Sequence, residues 1–247
     1  MTSSNGNKNI SRRLFLEWLG ASTVISLGAA AACSATNEKN TMDSGIKDAG
    51  SDSGTNYPFS PGEGTSDIFK TWPERTVDVQ NIENTLASWK LTVDGMVETP
   101  VTLRFHELVE LTPLNLLMDF HCVEGWSIWD IPWNGFHINT LKNMVKPLSG
   151  VTHITFHTQG GKYNESLPID VALEPHTLLV YGVDGSTIPL KHGFPLRLVV
   201  PRLLAYKSAK YVERIEFTDH PVNGFWVARG YPYDAPVPAS RLREGKY

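Results

Sequence analysis

The segment from Asp119 to Trp133 constrains this chain most, because it gathers aromatic residues around the only cysteine outside the N-terminal region. It reads Asp-Phe-His-Cys-Val-Glu-Gly-Trp-Ser-Ile-Trp-Asp-Ile-Pro-Trp and holds three of the seven Trp residues. A free cysteine packs as a small apolar side chain in many cores. Its thiolate is also a soft metal ligand. Chemistry alone therefore leaves Cys122 open between a structural role and a ligand or redox role.

The composition is that of an ordinary globular protein. The chain has 247 residues, of which 41% are hydrophobic, and a formal net charge of −4. That length is enough to bury a sizeable core, and the charge gives no indication of nucleic-acid binding. The two cysteines are Cys33 and Cys122. If Cys33 is removed or lipidated, the remaining chain has a single thiol and no internal disulfide.

The N-terminal region has the features of an export signal. Ser11–Leu16 contains Arg12-Arg13 and resembles a twin-arginine signal, and the apolar stretch after it is short for a membrane span but suits a signal peptide. Ala30-Ala31-Ala32-Cys33 is a candidate lipobox, in which Cys33 would be acylated. The alternative to the lipobox is a plain cleavage site. The alternative to the export signal is a chance Arg pair before a membrane anchor.

We therefore expect three parts. Residues 1–33 form the signal peptide, and residues 34–66, rich in Ser, Asp, Gly, Asn and Thr, form a flexible polar linker. Residues 67–247 form the folded domain. The protein is expected to be exported to the periplasm, with Cys33 as a candidate lipid anchor to the membrane.

Strand patterns dominate the folded domain. Apolar and polar residues alternate in several segments, two of which run into Asp-Gly turns. The predicted strands are Trp89–Gly95, Thr152–Thr158, Leu178–Gly185, Phe194–Val200 and Tyr211–Phe217. Short helices are predicted over Leu103–Leu111 and Thr140–Val145, ended by Pro113 and Pro147. These patterns predict one α+β domain with mixed β-sheets and short helices.

Several motifs, in order, carry a resemblance to a known family. Cys122-Val-Glu-Gly-Trp-Ser resembles the metal-ligand motif of the sulfite oxidase-like family of molybdopterin-dependent oxidoreductases. The chain is similar to that family from about Asn81 to Tyr231. Further matching elements are Trp89–Glu98, Tyr163–Pro168, Leu178–Leu190, His192–Pro201, Tyr206–Lys210 and Gly224–Tyr231.

The resemblance implies the family's molybdopterin-binding fold and a molybdenum-molybdopterin cofactor, with Cys122 as the metal ligand. It also implies which residues bind the cofactor, whose phosphate and pterin need cations and hydrogen-bond donors. These are Asn81, Thr158, His192, Arg197, Lys207, Ser208, Ala209 and Lys210. His192 replaces the family's usual Asn, and a neutral His can still donate one hydrogen bond and accept one.

The resemblance also bears on the substrate. Animal and plant sulfite oxidases carry Arg residues shortly after the ligand cysteine, whereas this chain has Glu124 and Trp126. The sequence therefore favours the bacterial branch that includes the periplasmic protein-methionine-sulfoxide reductase catalytic subunit, which reduces S-oxides by oxygen-atom transfer. Sulfite oxidation is the alternative. Tyr163 and Arg229 are the candidate catalytic residues beside Cys122, and His121 and His157 are further candidates for the mouth of the site.

The expected partners follow from the same comparison. The substrate would be a small or protein-bound oxidised molecule. No haem-attachment or dinucleotide fingerprint is found in the sequence, so electrons are expected from a separate cytochrome or membrane quinol-linked protein. The sequence after Arg229 is short for the dimerisation domain of sulfite oxidases, so a monomer is expected.

Two alternatives use other chemistry. The eight His residues and Cys122 could hold zinc or copper, although His121 and Cys122 are adjacent and no tight ligand spacing is present. The fold could also serve as a non-catalytic binding module, which would leave the retained Cys122 without a role.

Overall fold

A computed structural model describes residues 67–76 and 89–247 of the chain. The strands there are β1 (Lys90–Gly95), β2 (Val101–Arg104), β3 (Leu114–His121), β4 (Ser127–His137), β5 (His153–Thr158), β6 (Asn164–Pro168), β7 (Leu178–Val183), β8 (Ser186–Thr187), β9 (Arg197–Val199) and β10 (Val212–Thr218). The helices there are α1 (Ile68–Thr71), α2 (Phe105–Val109), α3 (Ile138–Val145) and α4 (Ile169–Ala172), with four short 3₁₀ turns. Within these two ranges, no helix is long and apolar enough to cross a membrane.

The first sheet has the strand order β2-β1-β10-β5-β6. β1 and β10 run parallel, with Val93 opposite Ile215, and the other three pairings are antiparallel. Leu91 and Val93 of β1 are fully buried while their neighbours along the strand are more exposed, which is the period of two that the sequence shows. This sheet brings the end of β5, at Thr158, next to the start of β6.

The second sheet has the order β3-β4-β7-β8, and β9 also pairs with β7. All its pairings are antiparallel. β3 and β4 form a hairpin whose connection is the Cys122–Trp126 turn. Asp184 and Gly185 both have positive φ, 54° and 70°, as a two-residue hairpin turn between β7 and β8 requires.

One apolar core draws side chains from both sheets, including Leu91, Phe156 and Phe217 from the first and Trp133 and Phe136 from the second. β4 and β7 approach closely at Gly135, where a Cβ atom would lie 2.2 Å from the Leu179 carbonyl oxygen. Only glycine fits this contact.

The α+β architecture, with one mixed sheet, one antiparallel sheet and short helices, confirms the predicted fold class. The predicted helices are present as α2 and α3, although α2 is shorter than the pattern indicates. The strand predicted from Phe194 is limited to Arg197–Val199, since Pro195 has no backbone N–H for a ladder bond.

β3 and β4 were not predicted from the sequence. Pro132 argues against a strand, but it lies where β4 pairs with β3 alone, because β7 joins only from Trp133 onward.

Candidate active site

A cavity of about 330 Å³ opens beside the Cys122 turn, within the roughly 300–1,000 Å³ of ordinary small-molecule pockets. Its walls come from segment 67–76, the end of β3, the ends of β5 and β6, and the loops on either side of β9. The predicted site residues that line it are Cys122, Thr158, Tyr163, His192, Arg197, Ser208 and Lys210. Residues distant in sequence are thus gathered around one space.

Cys122 follows directly after β3 and is only 8% exposed. Its N–H donates to the Trp126 carbonyl at 2.9 Å, and the N–H of Gly125 donates back to the Cys122 carbonyl at 3.2 Å. Gly125 has a φ of 97°, which closes this turn without strain. Burial raises the pKa of the Cys122 thiol, while backbone N–H groups of Glu124 and Val123 favour the thiolate.

Glu124 is held by two donors at the edge of the cavity. Arg75 Nε donates to one carboxylate oxygen and Trp126 Nε1 to the other, both at 2.9 Å. The hydrogen bond from Arg75 is the main reason that the pKa of Glu124 is lowered. The sequence places a bare carboxylate next to Cys122, whereas the structure places an ion pair there, so the negative charge of Glu124 is largely offset.

Arg197 brings a positive charge into the cavity wall. Its guanidinium lies 5.7, 4.9 and 5.5 Å from the ring centres of Trp72, Phe120 and Trp133, a cation–π arrangement. Burial lowers its pKa to about 10, so it is charged at neutral pH. One nitrogen donates to the His192 carbonyl at 2.8 Å, but Nε is buried and has no partner among the described residues. Such a donor calls for an acceptor.

Lys210 and His192 also line the cavity. Lys210 Nζ donates to Thr76 Oγ1 and to the Lys191 carbonyl, both at 2.8 Å. Burial, with the charge of Arg197, lowers the Lys210 pKa to about 7. His192 is 4% exposed, and burial and the nearby cations lower its pKa to about 3. His192 is therefore neutral at pH 7 and can both donate and accept, as predicted from its place in the motif.

Tyr163 forms part of the cavity wall. Its hydroxyl donates to the Tyr206 carbonyl, and its ring stacks on Phe225 with 5.5 Å between centres. Burial raises the pKa of Tyr163 strongly, so it is a neutral phenol. Thr158 Oγ1 donates to the Tyr163 carbonyl at 2.8 Å, and Ser208 Oγ accepts from the Val200 N–H at 3.0 Å. These hydroxyls also fix the backbone around the cavity.

Lys207 and Ala209, both predicted to bind the cofactor, do not line the cavity. Lys207 is 1% exposed and points into the core, where Nζ lies 2.5 Å from a carboxylate oxygen of Glu165 and donates to the Ser166 carbonyl at 3.0 Å. Burial raises the pKa of Glu165 and lowers that of Lys207, and each partner opposes the shift of the other. This pair joins the Ala205–Lys207 turn to β6.

Arg229, His121 and His157 also lie outside the cavity lining. Arg229 is exposed and covers the outer face of Phe225, at 3.5 Å from its ring centre. His121 faces Ser127, with Nδ1 2.8 Å from Oγ, and His157 pairs with Glu216 at 2.9 Å. Asn81 lies outside the described residues. The roles of these four residues remain predictions from the resemblance.

Several lining residues were not identified from the sequence. They are Trp72, Arg75, Thr76, Phe120, Tyr206, Tyr211, Trp226 and Tyr231. Most are aromatic, a type that core packing explains equally well in a sequence, and Trp72, Arg75 and Thr76 precede the matching motifs. Within residues 67–76 and 89–247, no group of three or more His, Cys, Asp or Glu side chains is placed to hold a metal ion.

Comparison with known proteins gives one consistent family. Residues 76–226 match the model of the oxidoreductase molybdopterin binding domain. Over 156 residues the chain is 34% identical to the uncharacterized oxidoreductase YuiH of Bacillus subtilis strain 168, which covers 63% of this chain and 78% of YuiH.

Two further relatives are protein-methionine-sulfoxide reductase catalytic subunits named MsrP. That of Ralstonia nicotianae is 34% identical over 53% of this chain and 44% of its own length, and that of Campylobacter jejuni is 32% identical over 64% and 58%. The chain thus spans about half the length of these two relatives. Among solved structures, the sulfane dehydrogenase SoxCD from Paracoccus pantotrophus aligns with a TM-score of 0.51 at 18% identity, over 55% of this chain and 39% of that one, a likeness of fold.

His192 should make stability depend on pH. An unfolded His takes up a proton near pH 6.5 and folded His192 only near pH 3, so the unfolded state binds more protons between these values. The free energy of unfolding should therefore fall as pH drops from 6.5 toward 3, by at most about 1.4 kcal/mol per pH unit. Denaturant titrations from pH 4 to 8 should show His192→Gln losing less stability on acidification than the wild type. An equal acid loss in both proteins would contradict this.

Lys207→Met should destabilise the fold by about 3–5 kcal/mol, because it leaves the Glu165 carboxylate buried without its cation. Adding Glu165→Gln should recover about 2 kcal/mol, since the amide oxygen can still accept from the Ser166 N–H. The control is Lys191→Met, which breaks an exposed pair with Glu74 and should cost about 0–1 kcal/mol. Equal midpoints for Lys207→Met and the control in urea would disprove the structural role of Lys207.

Proposed function

Because the chain belongs to the oxidoreductase molybdopterin-binding domain family, we propose that it is an exported enzyme that reduces S-oxides by oxygen-atom transfer. The family makes it an oxidoreductase with a molybdenum-molybdopterin cofactor. The substrate would be a small or protein-bound sulfoxide, which two electrons and two protons convert to a thioether and water. The observation that carries the proposal is that Cys122 and the basic side chains of Arg197 and Lys210 line one cavity.

The residues present fit the cofactor. The buried Arg197 Nε lacks an acceptor among the described residues, and a phosphate or pterin oxygen would supply one. Lys210, Ser208 and Thr158 would contribute charge and hydrogen bonds on the same side, and neutral His192 can serve either as donor or acceptor. Cys122 would ligate the metal with its sulfur. When bound, the cofactor supplies the metal that exchanges an oxygen atom and two electrons with the substrate.

The aromatic lining supports a sulfur substrate. Trp72, Phe120, Trp126 and Tyr231 line the same cavity as Cys122, and aromatic rings make favourable contacts with thioether sulfur. They also exclude water from a reacting centre, which strengthens electrostatic interactions there. The two relatives named as methionine-sulfoxide reductases point to the same substrate class.

Sulfite oxidation is the second candidate, and one observation favours it. Arg75 neutralises Glu124, so the carboxylate beside Cys122 does not by itself repel an anion. The choice between the two substrates then rests on the aromatic lining and on the relatives, rather than on the charge of Glu124.

The partners and location belong to the same proposal. A separate electron-transfer protein, a cytochrome or a membrane quinol-linked protein, would supply the electrons, and the chain would act as a monomer. Export through the twin-arginine pathway would bring it to the periplasm already folded, and Cys33 would attach it to the membrane if the lipobox is used. The support for export is the Arg12-Arg13 motif and the short apolar stretch after it.

Cys122→Ser should abolish turnover while leaving the fold intact, because serine is nearly isosteric but lacks the soft thiolate ligand. Wild type purified from a host that makes the cofactor should contain about one molybdenum per chain. With a reduced viologen as electron donor, it should reduce methionine sulfoxide and a sulfoxide-containing peptide.

Three outcomes would count against parts of this proposal. Full turnover by Cys122→Ser would overturn the ligand role. Oxidation of sulfite by the wild type, without S-oxide reduction, would replace the proposed substrate with the alternative. Zinc or copper in place of molybdenum would remove the oxygen-transfer chemistry. Circular dichroism of Cys122→Ser provides the control for folding.

Replacing Arg12 and Arg13 together with Lys should trap the precursor in the cytoplasm, because the twin-arginine pathway requires the arginine pair. Fractionation followed by immunoblotting measures the distribution. A conservative change elsewhere in the signal, Ser11→Thr, should leave export as in the wild type. Unchanged export of the Lys-Lys variant would exclude this pathway.

A further inference from the structure

Segment 239–247 lies across the β3–β4 hairpin and is fastened by charged groups. The Asp119 carboxylate, which is completely buried, accepts hydrogen bonds from Arg243, one of them from Nε at 3.0 Å. Arg243 and Lys246 also bind Asp130, at 2.7 and 2.8 Å. The Tyr247 hydroxyl hydrogen-bonds to the Asp119 N–H. A buried carboxylate paired in this way fixes the position of the segment.

Arg241 reaches from this fixed segment to the Cys122 turn. One terminal nitrogen donates to the Cys122 carbonyl at 2.9 Å, and the other donates to the Trp126 carbonyl at 2.6 Å and to Ser127 Oγ at 3.0 Å. The two carbonyls belong to the residues at the two ends of the turn. The guanidinium is planar and rigid, so it holds both ends at a set separation.

The same guanidinium also acts on the residue before Cys122. Ser127 Oγ, which accepts from Arg241, lies 2.8 Å from His121 Nδ1. His121 is fully buried at the end of β3, and its ring packs against Trp129 with 5.2 Å between centres. Arg241 therefore braces the turn through the Cys122 carbonyl on one side and through Ser127 on the other.

The direction of the Cys122 side chain depends on this bracing. Cys122 lines the cavity at the start of a turn of five residues. The backbone hydrogen bonds of this turn join Cys122 to Trp126 and Gly125 to Cys122. The Cys122 and Trp126 carbonyls each take part in one of these bonds and also accept from Arg241. Removing the guanidinium leaves each of these carbonyls with its backbone donor alone, and the turn loses the link between its two ends.

We infer that Arg241 is a positioning residue that fixes the orientation of the Cys122 sulfur toward the cofactor. This inference rests on the proposed function only for the identity of the metal that Cys122 holds. The bracing of the turn stands on the contacts of Arg241 alone. Arg241 itself does not line the cavity, so it acts through Cys122 and not on the substrate.

The test compares Arg241→Gln and Arg241→Lys with a matched control. Arg202→Gln removes an arginine that pairs with Glu174 at 2.6 Å on the surface and should behave as wild type. The purified full chain is characterised by amide hydrogen exchange over residues 120–128, molybdenum per chain, the Mo(V) electron paramagnetic resonance spectrum and steady-state kinetics. A purely structural role would change exchange and stability without changing the spectrum.

In Arg241→Gln, the amide hydrogens of residues 120–128 should exchange about tenfold faster than in the wild type, because charge-assisted hydrogen bonds to the turn are lost. Its Mo(V) spectrum should shift, and kcat should fall with little change in KM. Arg241→Lys should restore part of each effect, since an ammonium can donate to a carbonyl but lacks the fork. If Arg241→Gln does not fold, the effects of Arg241→Lys on amide exchange and on the Mo(V) spectrum decide whether Arg241 positions Cys122.

Unchanged exchange, or faster exchange with an unchanged Mo(V) spectrum, would overturn the positioning role. If the wild type holds no molybdenum, the proposed function fails, while the exchange rates still decide whether Arg241 holds the turn. The two failures are thereby distinguishable. An effect of Arg202→Gln as large as that of Arg241→Gln would also overturn the inference, because it would show a general response to losing an arginine.

Discussion

The charged guanidinium of Arg197 is surrounded by three aromatic rings that come from distant parts of the chain. Trp72 belongs to segment 67–76, whereas Phe120 and Trp133 belong to β3 and β4. A buried guanidinium loses much of its hydration, and the rings and the His192 carbonyl replace only part of it. Its Nε remains without a partner among the described residues. The packing of these elements thus leaves a strong donor at the cavity, and binding an anionic or acceptor-rich ligand would satisfy it.

Local patterns in the sequence predicted much of the fold, because short strands and turns depend on nearby residues. β1, β5 and the Asp184-Gly185 turn follow from alternation and from the need for positive φ. β3 and β4 could not be predicted in this way. Part of this hairpin is covered by segment 239–247, for example where Arg243 binds Asp119 and Asp130, and such contacts join residues more than 100 positions apart.

The candidate site shows the same limit on a smaller scale. Lys207 and Lys210 belong to one motif, and the sequence gives them the same role. The 3₁₀ turn at Ala205–Lys207 directs Lys207 into the core, toward Glu165, while Lys210 lies beside Thr76 at the cavity. A spacing of three residues is enough to separate a lysine buried in the core from one that lines the cavity. Only the position of Glu165 on β6 shows that Lys207, and not Lys210, is the lysine buried in the core.

The charged groups of the cavity lining fall into two sets. Arg197 and Lys210 form the basic set, and His192 stays neutral because its protonation is opposed by burial and by these neighbouring basic groups. Arg75 and Glu124 form the second set and offset each other, and several aromatic rings share the lining. A ligand with an anionic part and a neutral reacting part would match these two sets. The proposed cofactor supplies the anionic part, and an uncharged sulfoxide next to Cys122 would need no further compensating charge.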